Sequence, residues 1–274
     1  MKHNLLFFLL FTLLFAACKE VPPVITPLES GNSGQVVPRK ALIEEFTGVR
    51  CVNCPAGTAD ILNLQSIYKE RLIAVGIHAG SFSLPYSEST FDFRTEEGNN
   101  IINLLGRPLG YPSAVVNRKK FDGEINLQVG RSQWAGFLAQ ELATPPVIDV
   151  KLSVVYSKIT RKVQVKVDLT PLQALTQPEI RLSIMLTEDK IVNVQLTPDG
   201  KQVDYVHRHN LRKMLTPYDG EIVTSLLKNG STLTKNYSIT LPDGYYDINC
   251  SIVAFAHLGG DKLEVLQAAE VKLL

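Results

Sequence analysis

Apolar positions follow two different rhythms along this chain. From residue 39 to about 145, short continuous apolar runs alternate with stretches of helical spacing. Ala41–Phe46 reads as a strand. Pro55 to Glu70 reads as a helix, with Ile61, Leu64 and Tyr68 at helical spacing and Pro55 in the first turn, where no backbone N–H is needed. Leu72–Ile77 is continuously apolar, as expected of a strand buried on both faces. A long excursion from Gly80 to Gly110 follows, holding a helix around Phe93–Leu105 that Gly106 stops. Ala114-Val115-Val116 is a further buried strand, and Phe121-Asp122-Gly123 a turn. Leu127 to Leu142 predicts a last helix with Trp134, Leu138 and Leu142 on one side, ended by Thr144-Pro145-Pro146. This alternation predicts an α/β domain over 39–145.

Beyond residue 146 the period becomes two. Val147–Val155 alternates partly, Val163–Val167 alternates cleanly, and Ile180–Leu186 is a further strand. Later strands are expected near Tyr205–Leu211, Leu233–Leu241, Ile248–Ala256 and Leu263–Leu273. Turn signals such as Pro198-Asp199-Gly200, Lys228-Asn229-Gly230 and Pro242-Asp243-Gly244 separate them. About seven strands without strong helices predict an all-β, immunoglobulin-like sandwich domain over 146–274.

Ahead of both lies a targeting signal. Leu5–Phe15 is an apolar run of eleven residues, too short for a spanning helix. It ends in Phe15-Ala16-Ala17-Cys18, which resembles a bacterial lipoprotein processing site. That resemblance implies a signal peptide over 1–17, cleavage before Cys18, and lipid on the Cys18 thiol as a membrane anchor. An ordinary secretory signal with an incidental cysteine is the alternative. Several acyl chains would anchor stably, since each buried methylene adds about 0.8 kcal/mol. Lys19 is not the Asp that retains some lipoproteins at the inner membrane, which favours the outer membrane. Residues 18–38 read as a tether, stiffened by Pro22, Pro23, Pro27 and Pro38 and loosened by Ser30–Gly34. With 28 basic and 27 acidic residues, the charge balance gives no case for a nucleic-acid partner.

The candidate chemistry sits in Cys51-Val52-Asn53-Cys54, between the first strand and the first helix. A helix N-terminus favours thiolate, and Arg50 adds positive charge. Cys51 is therefore the expected nucleophile and Cys54 the resolving thiol, the two pairing as a disulfide in an oxidising envelope. A purely structural disulfide is the alternative. No second CxxC exists to complete a zinc site. His207 and His209 would share one face of an extended segment, but without a third ligand nearby they predict hydrogen bonding and no metal site. Cys250 alternates with Ile248 and Ile252 and reads as a small buried hydrophobe. No organic cofactor is implied, because the cysteine pair itself carries electrons.

Strand, CxxC and helix in this order resemble thioredoxin-like proteins. Those carry an acid six positions before the first cysteine, which here is Glu45; Glu44 points to the opposite face of the strand. They also place a cis-proline before a buried strand, which Tyr111-Pro112-Ser113 matches. The resemblance implies that Glu45 and Pro112 assist the pair and that the Tyr111 backbone meets substrate peptide. The departures are Val52-Asn53 between the cysteines and Val49-Arg50 where a Trp would precede them. A wider resemblance runs through Glu44–Gly48, Cys51–Pro55, His78–Phe82, Asp92–Thr95, Tyr111–Ser113 and Tyr205–Arg212. These segments are similar to the twenty-eight-kilodalton outer-membrane-protein-related family of Gram-negative bacterial lipoproteins. That resemblance implies a thioredoxin-like domain, a C-terminal sandwich and an outer-membrane address.

Two functions stay open at this point. One is thiol–disulfide exchange with a client or redox-partner protein. The other is a surface binding protein, an adhesin or receptor, that recognises its partner through the 80–110 excursion or the sandwich and keeps Cys51–Cys54 as a staple.

Overall fold

The computed structural model describes residues 37–274 apart from residues 178 and 229. The expected signal peptide, Cys18 and nearly all of the tether lie outside the described residues. Strand β1 (Ala41–Thr47) is buried along its whole length. It pairs in parallel with β2 (Leu72–His78) and antiparallel with β3 (Ser113–Val116). Helix α1 (Cys54–Tyr68) connects β1 to β2, and α2 (Glu96–Leu104) lies in the excursion before β3. The Thr95 hydroxyl caps α2 by accepting from Gly98 N at 2.9 Å. Helix α3 (Arg131–Ala143) starts four residues later than its apolar pattern suggests. Val129 is drawn into a backbone bridge with Ala114 instead, through bonds of 2.8 and 3.1 Å.

Strands β4 (Ile148–Ser157), β5 (Lys162–Pro171) and β11 (Leu233–Thr240) form a three-stranded sheet. The others in this half are β6 (Ile180–Glu188), β7 (Ile191–Thr197), β8 (Gly200–His207), β9 (Asn210–Met214), β10 (Glu221–Ile222), β12 (Cys250–Leu258) and β13 (Val265–Lys272). Strands β7 and β8 form a hairpin that stands as a two-stranded sheet of its own. The remaining strands join the first three in one eight-stranded sheet, in the order β13-β12-β6-β9-β2-β1-β3 with β10 beside β6. The sheet therefore crosses residue 146. Its joint is β9 against β2, where Gly76 N donates to His209 O at 2.7 Å. A Cβ on residue 76 would lie 3.1 Å from Arg208 O, so glycine lets the two backbones meet there. The sheet also curls, because Val265 N at the start of β13 donates to Asn117 O just after β3 at 2.7 Å.

Alternation along each strand divides the interior into layers. Leu42, Phe46, Val75 and Ile77 of the first strands pack with Met185, Leu211, Val253 and Phe255 on one shared face. On the reverse side of the first strands, Ile43 and Ala74 pack under Ile61, Trp134 and Leu138 of the helices. On the reverse side of β6 and β12, Ile184, Ile252 and Ala254 pack against Val163, Val165 and Val167 of the three-stranded sheet. The protein is thus β-rich, with sheets packed face to face at one end and helices covering the sheet at the other.

Two buried charges sit in the shared layer. Arg118 donates to both carboxylate oxygens of Glu44 at 2.7 and 2.8 Å, and its guanidinium lies 4.8 Å from the Phe255 ring centre. Both side chains are wholly buried.

Candidate functional site

Strand β1 ends at Thr47, and the chain turns at once, with Cys51 N donating to Gly48 O at 3.0 Å. Helix α1 begins at Cys54, with Pro55 in its first turn. Cys51 and Cys54 are joined by a disulfide, with Cα atoms 5.4 Å apart. Neither sulfur-bearing residue faces solvent: Cys51 is 2% exposed and Cys54 1%. Val52 and Asn53 between them are exposed. Arg50 is turned into the excursion, donating to Leu84 O and Pro85 O at 2.7 Å and lying 4.4 Å from the Tyr86 ring centre.

The antiparallel register of β1 and β3 sets Glu45 opposite Ala114 and Phe46 opposite Ser113, so Pro112 arrives beside the CxxC turn. The Tyr111–Pro112 peptide is cis. Gly57 shows how closely these parts meet. A Cβ there would lie 2.7 Å from Glu45 Oε1 and 2.8 Å from Pro112 Cγ. Gly57→Ala is therefore expected to push α1 off Pro112 and cost about 1–3 kcal/mol of stability. An unchanged denaturant midpoint would show that α1 does not rest on Pro112. Tyr111 donates its hydroxyl to Ala79 O at 2.9 Å, and its ring sits 5.2 Å from that of Phe82.

Glu44 and Glu45 point to opposite faces, and the structure separates their roles. Glu44 is committed to Arg118. Glu45 faces α1, and its Oε1 is buried without a hydrogen-bond partner. Loss of solvation pushes its carboxyl up to about 8; Arg131 opposes this and Asp60 adds to it. Glu45 and Cys54 line one small cavity of about 10 Å³, with His78, Gln195, Tyr205 and His207. That is room for about one water. His78, at the end of β2, also has an unpartnered buried Nδ1. Burial holds the His78 imidazole well below its usual range and lowers His207 to about 4, so both rings are neutral at pH 7. Their centres are 5.5 Å apart, and the Phe93 ring lies 4.6 Å from each.

The strand expected over Tyr205–Leu211 breaks at Arg208 and His209, where His209 takes φ 54°. His207 ends β8 and His209 lies in the turn, so the two do not share the face of one strand. Among the described residues no group of three His, Cys, Asp or Glu is placed to hold a metal. Cys250 is buried, and desolvation pushes its thiol up to about 12, leaving it unreactive.

Gln195, Tyr205 and His207 belong to the β7–β8 hairpin, which sequence reasoning did not connect with the CxxC. Ile191–Thr197 does alternate, and Pro198-Asp199-Gly200 marks the turn. Nothing in either stretch tells where the hairpin docks. A second, open cleft of about 360 Å³ beside Tyr111 is lined by Ser81, Asn99, Ile102, Asn103 and Arg107.

A comparison with curated proteins found no match. Among solved structures, the chain is similar to HBP35 of Porphyromonas gingivalis, at TM-score 0.69 and 17% identity over 86% of this chain and 76% of that one. It is also similar to a protein of Agrobacterium tumefaciens, at TM-score 0.56 and 13% identity over 87% and 96%. At these identities the likeness is one of fold. A domain of the outer membrane lipoprotein Omp28 from Porphyromonas gingivalis aligns at TM-score 0.34 and 23% identity, over 47% of this chain and 88% of that one. The family model described as outer membrane protein Omp28 matches residues 107–273, which is more than half of the chain but begins after the CxxC. The chain therefore belongs to the outer membrane protein Omp28 family, and its place is the outer membrane of the cell envelope.

Proposed function

We propose that this outer-membrane protein carries out thiol–disulfide exchange on envelope proteins through a thioredoxin-like segment, residues 39–145, held at the membrane by lipid on Cys18. The observation that carries this reading is the convergence of the Cys51–Cys54 disulfide, the cis Tyr111–Pro112 bond and the buried carboxyl of Glu45 around the start of α1. In the oxidising direction a client thiolate attacks the Cys51 sulfur. The Cys51–Cys54 bond breaks, and Cys54 leaves as a thiolate. Glu45, protonated at neutral pH, shares the cavity behind Cys54 and supplies the proton. A second client thiolate then attacks the client sulfur of the mixed disulfide and Cys51 leaves as a thiolate, so the client is oxidised by two electrons and the pair is left reduced. The segment over 146–274, with its sandwich layers, serves to position this site or to bind the partner.

One observation favours the rival reading, in which the protein is an adhesin or receptor and the disulfide a staple: both cysteines are buried. The two readings separate on residues 19–274 prepared without lipid. Titration of Cys51–Cys54 against a glutathione couple should find a reversible midpoint, and Cys54→Ser should trap clients through Cys51. A pair that stays oxidised under strong reductant and turns over no model protein would sink the exchange reading. The anchor has its own test: Cys18→Ser should release the protein from the membrane fraction, and continued lipid labelling would refute it.

A further inference from the structure

A redox pair that serves a protein partner must be reachable, and this one is roofed. The roof is the β7–β8 hairpin, which comes from more than 130 positions along the chain, as the 144-residue separation of Gln195 and Cys51 shows. Gln195 Nε2 donates to Cys51 O at 2.9 Å and to Gly48 O at 3.3 Å. Leu196 N donates to Val49 O at 2.8 Å. Ile191 packs with Val49 and Phe93, and Asn193 links the hairpin to the excursion by donating to Phe91 O and accepting from Thr90 N, at 2.9 and 3.0 Å. On its other side the hairpin closes the cavity behind Cys54.

We propose that this hairpin is a lid over the Cys51–Cys54 bond, latched by Gln195, and that it swings away as a unit to admit a thiol. The inference takes the redox reading of the pair as its starting point.

Three features allow the motion. First, neither β7 nor β8 hydrogen-bonds into the eight-stranded sheet, so the lid can lift without breaking that sheet. A two-stranded hairpin has little stability of its own and owes its position to what it rests on. Second, its base is hinged. Lys190 just before β7 and His209 just after β8 both hold positive φ, 57° and 54°, without being glycine. Both lie in the short connections at the ends of the hairpin, the positions that absorb backbone rotation at hinges. Next to Lys190, Asp189 clamps the base, accepting from Arg208 Nη1 at 2.8 Å and from His209 N at 3.2 Å. Third, the apolar seat of the hairpin is small, with Ile191 and Val194 buried and His207 lying against Phe93, and its other contacts are polar. Val192, Val203 and Val206 are exposed, and the tip is tied through Lys201, which pairs with Glu88 at the surface and lies 5.0 Å from the Tyr86 ring centre. Water can replace each of these bonds once the lid is up.

The test reads access to the sulfur and not turnover. The full-length oxidised protein is mixed with increasing dithiothreitol, and freed Cys51 and Cys54 are alkylated and identified by peptide mass. Dithiothreitol attacks Cys51, Cys54 departs as the thiol, and the reagent closes to its cyclic disulfide, so two electrons pass to the pair. If opening precedes attack, the wild-type rate should level off as reductant rises. Gln195→Ala and Asn193→Ala should each raise that plateau about tenfold or more, since the first removes two and the second three hydrogen bonds that only the closed lid makes. Rates equal to wild type in both variants would overturn the lid. If either variant also loses global stability, hydrogen exchange decides. Hairpin amides exchanging ahead of β6 and β12 support a lid, and amides exchanging in step with those strands refute it. A pair that opens to dithiothreitol but passes electrons to no protein ends the redox reading and leaves the lid intact.

Discussion

Glu45→Gln is expected to stabilise the protein by about 5 kcal/mol at pH 9 and to leave it nearly unchanged at pH 4. The sign follows from the two protonation states. In the folded protein the carboxyl titrates at about 8, against an ordinary value of 4.5. Below pH 4.5 both folded and unfolded chains hold the proton, and Glu45 costs nothing. Between the two values only the folded chain holds it, so stability falls by about 1.4 kcal/mol per pH unit. Above pH 8 the folded protein carries a buried, poorly paired carboxylate and bears the whole cost. Glutamine matches the protonated carboxyl in shape and never ionises, so the variant lacks this slope. Denaturant unfolding of both proteins from pH 4 to pH 9 checks the point. Parallel profiles would mean that Glu45 is solvated and has no proton to give Cys54 at neutral pH.

Arg118→Ala should lower stability by about 3–5 kcal/mol, because it strands the Glu44 carboxylate in a layer that water does not reach. Replacing both partners, as Glu44→Leu with Arg118→Met, should recover most of the loss, since a packed apolar pair carries no desolvation cost. The loss should also be felt across the molecule. Arg118 lies over Phe255, and the layer around them is built from strands on both sides of residue 146. Trp134 fluorescence reports on the helical end, and alkylation of buried Cys250 reports on the packed sheets. Both midpoints should fall together. A fall at Trp134 with Cys250 still protected would show that the two segments unfold independently.

Much of the local structure was legible because local rules govern it. Continuous apolar runs gave β2 and β3, and an apolar run interrupted by Glu44-Glu45 gave β1, all three covered on both faces. Clean alternation gave β5, which has one face in the core and one in water. The late start of α3 was not legible, since a long-range bridge to Ala114 claims Val129 away from an otherwise good helical pattern. Nor was the break at His209, where docking of β9 on β2 forces a turn within an extended-looking run. At the site, Glu45 and the Tyr111-Pro112 step were marked out by a resemblance, through their spacing from Cys51 and from a buried strand. The hairpin residues Gln195, Tyr205 and His207 could not, because contacts across so many positions leave no periodic trace.

The sequence by itself determined most of the elements, the paired cysteines ahead of a helix, and the opposite facing of Glu44 and Glu45, all consequences of short-range geometry and burial. Only the tertiary structure decided that strands from both halves share one curled sheet, that Glu44 is spent on Arg118, and that a distant hairpin covers the disulfide. The physical reason is that apolar surface can be buried by any partner of fitting shape. Which strand meets which, and what then roofs a sulfur atom, is settled when backbone hydrogen bonds and the glycine contact at residue 76 select one arrangement.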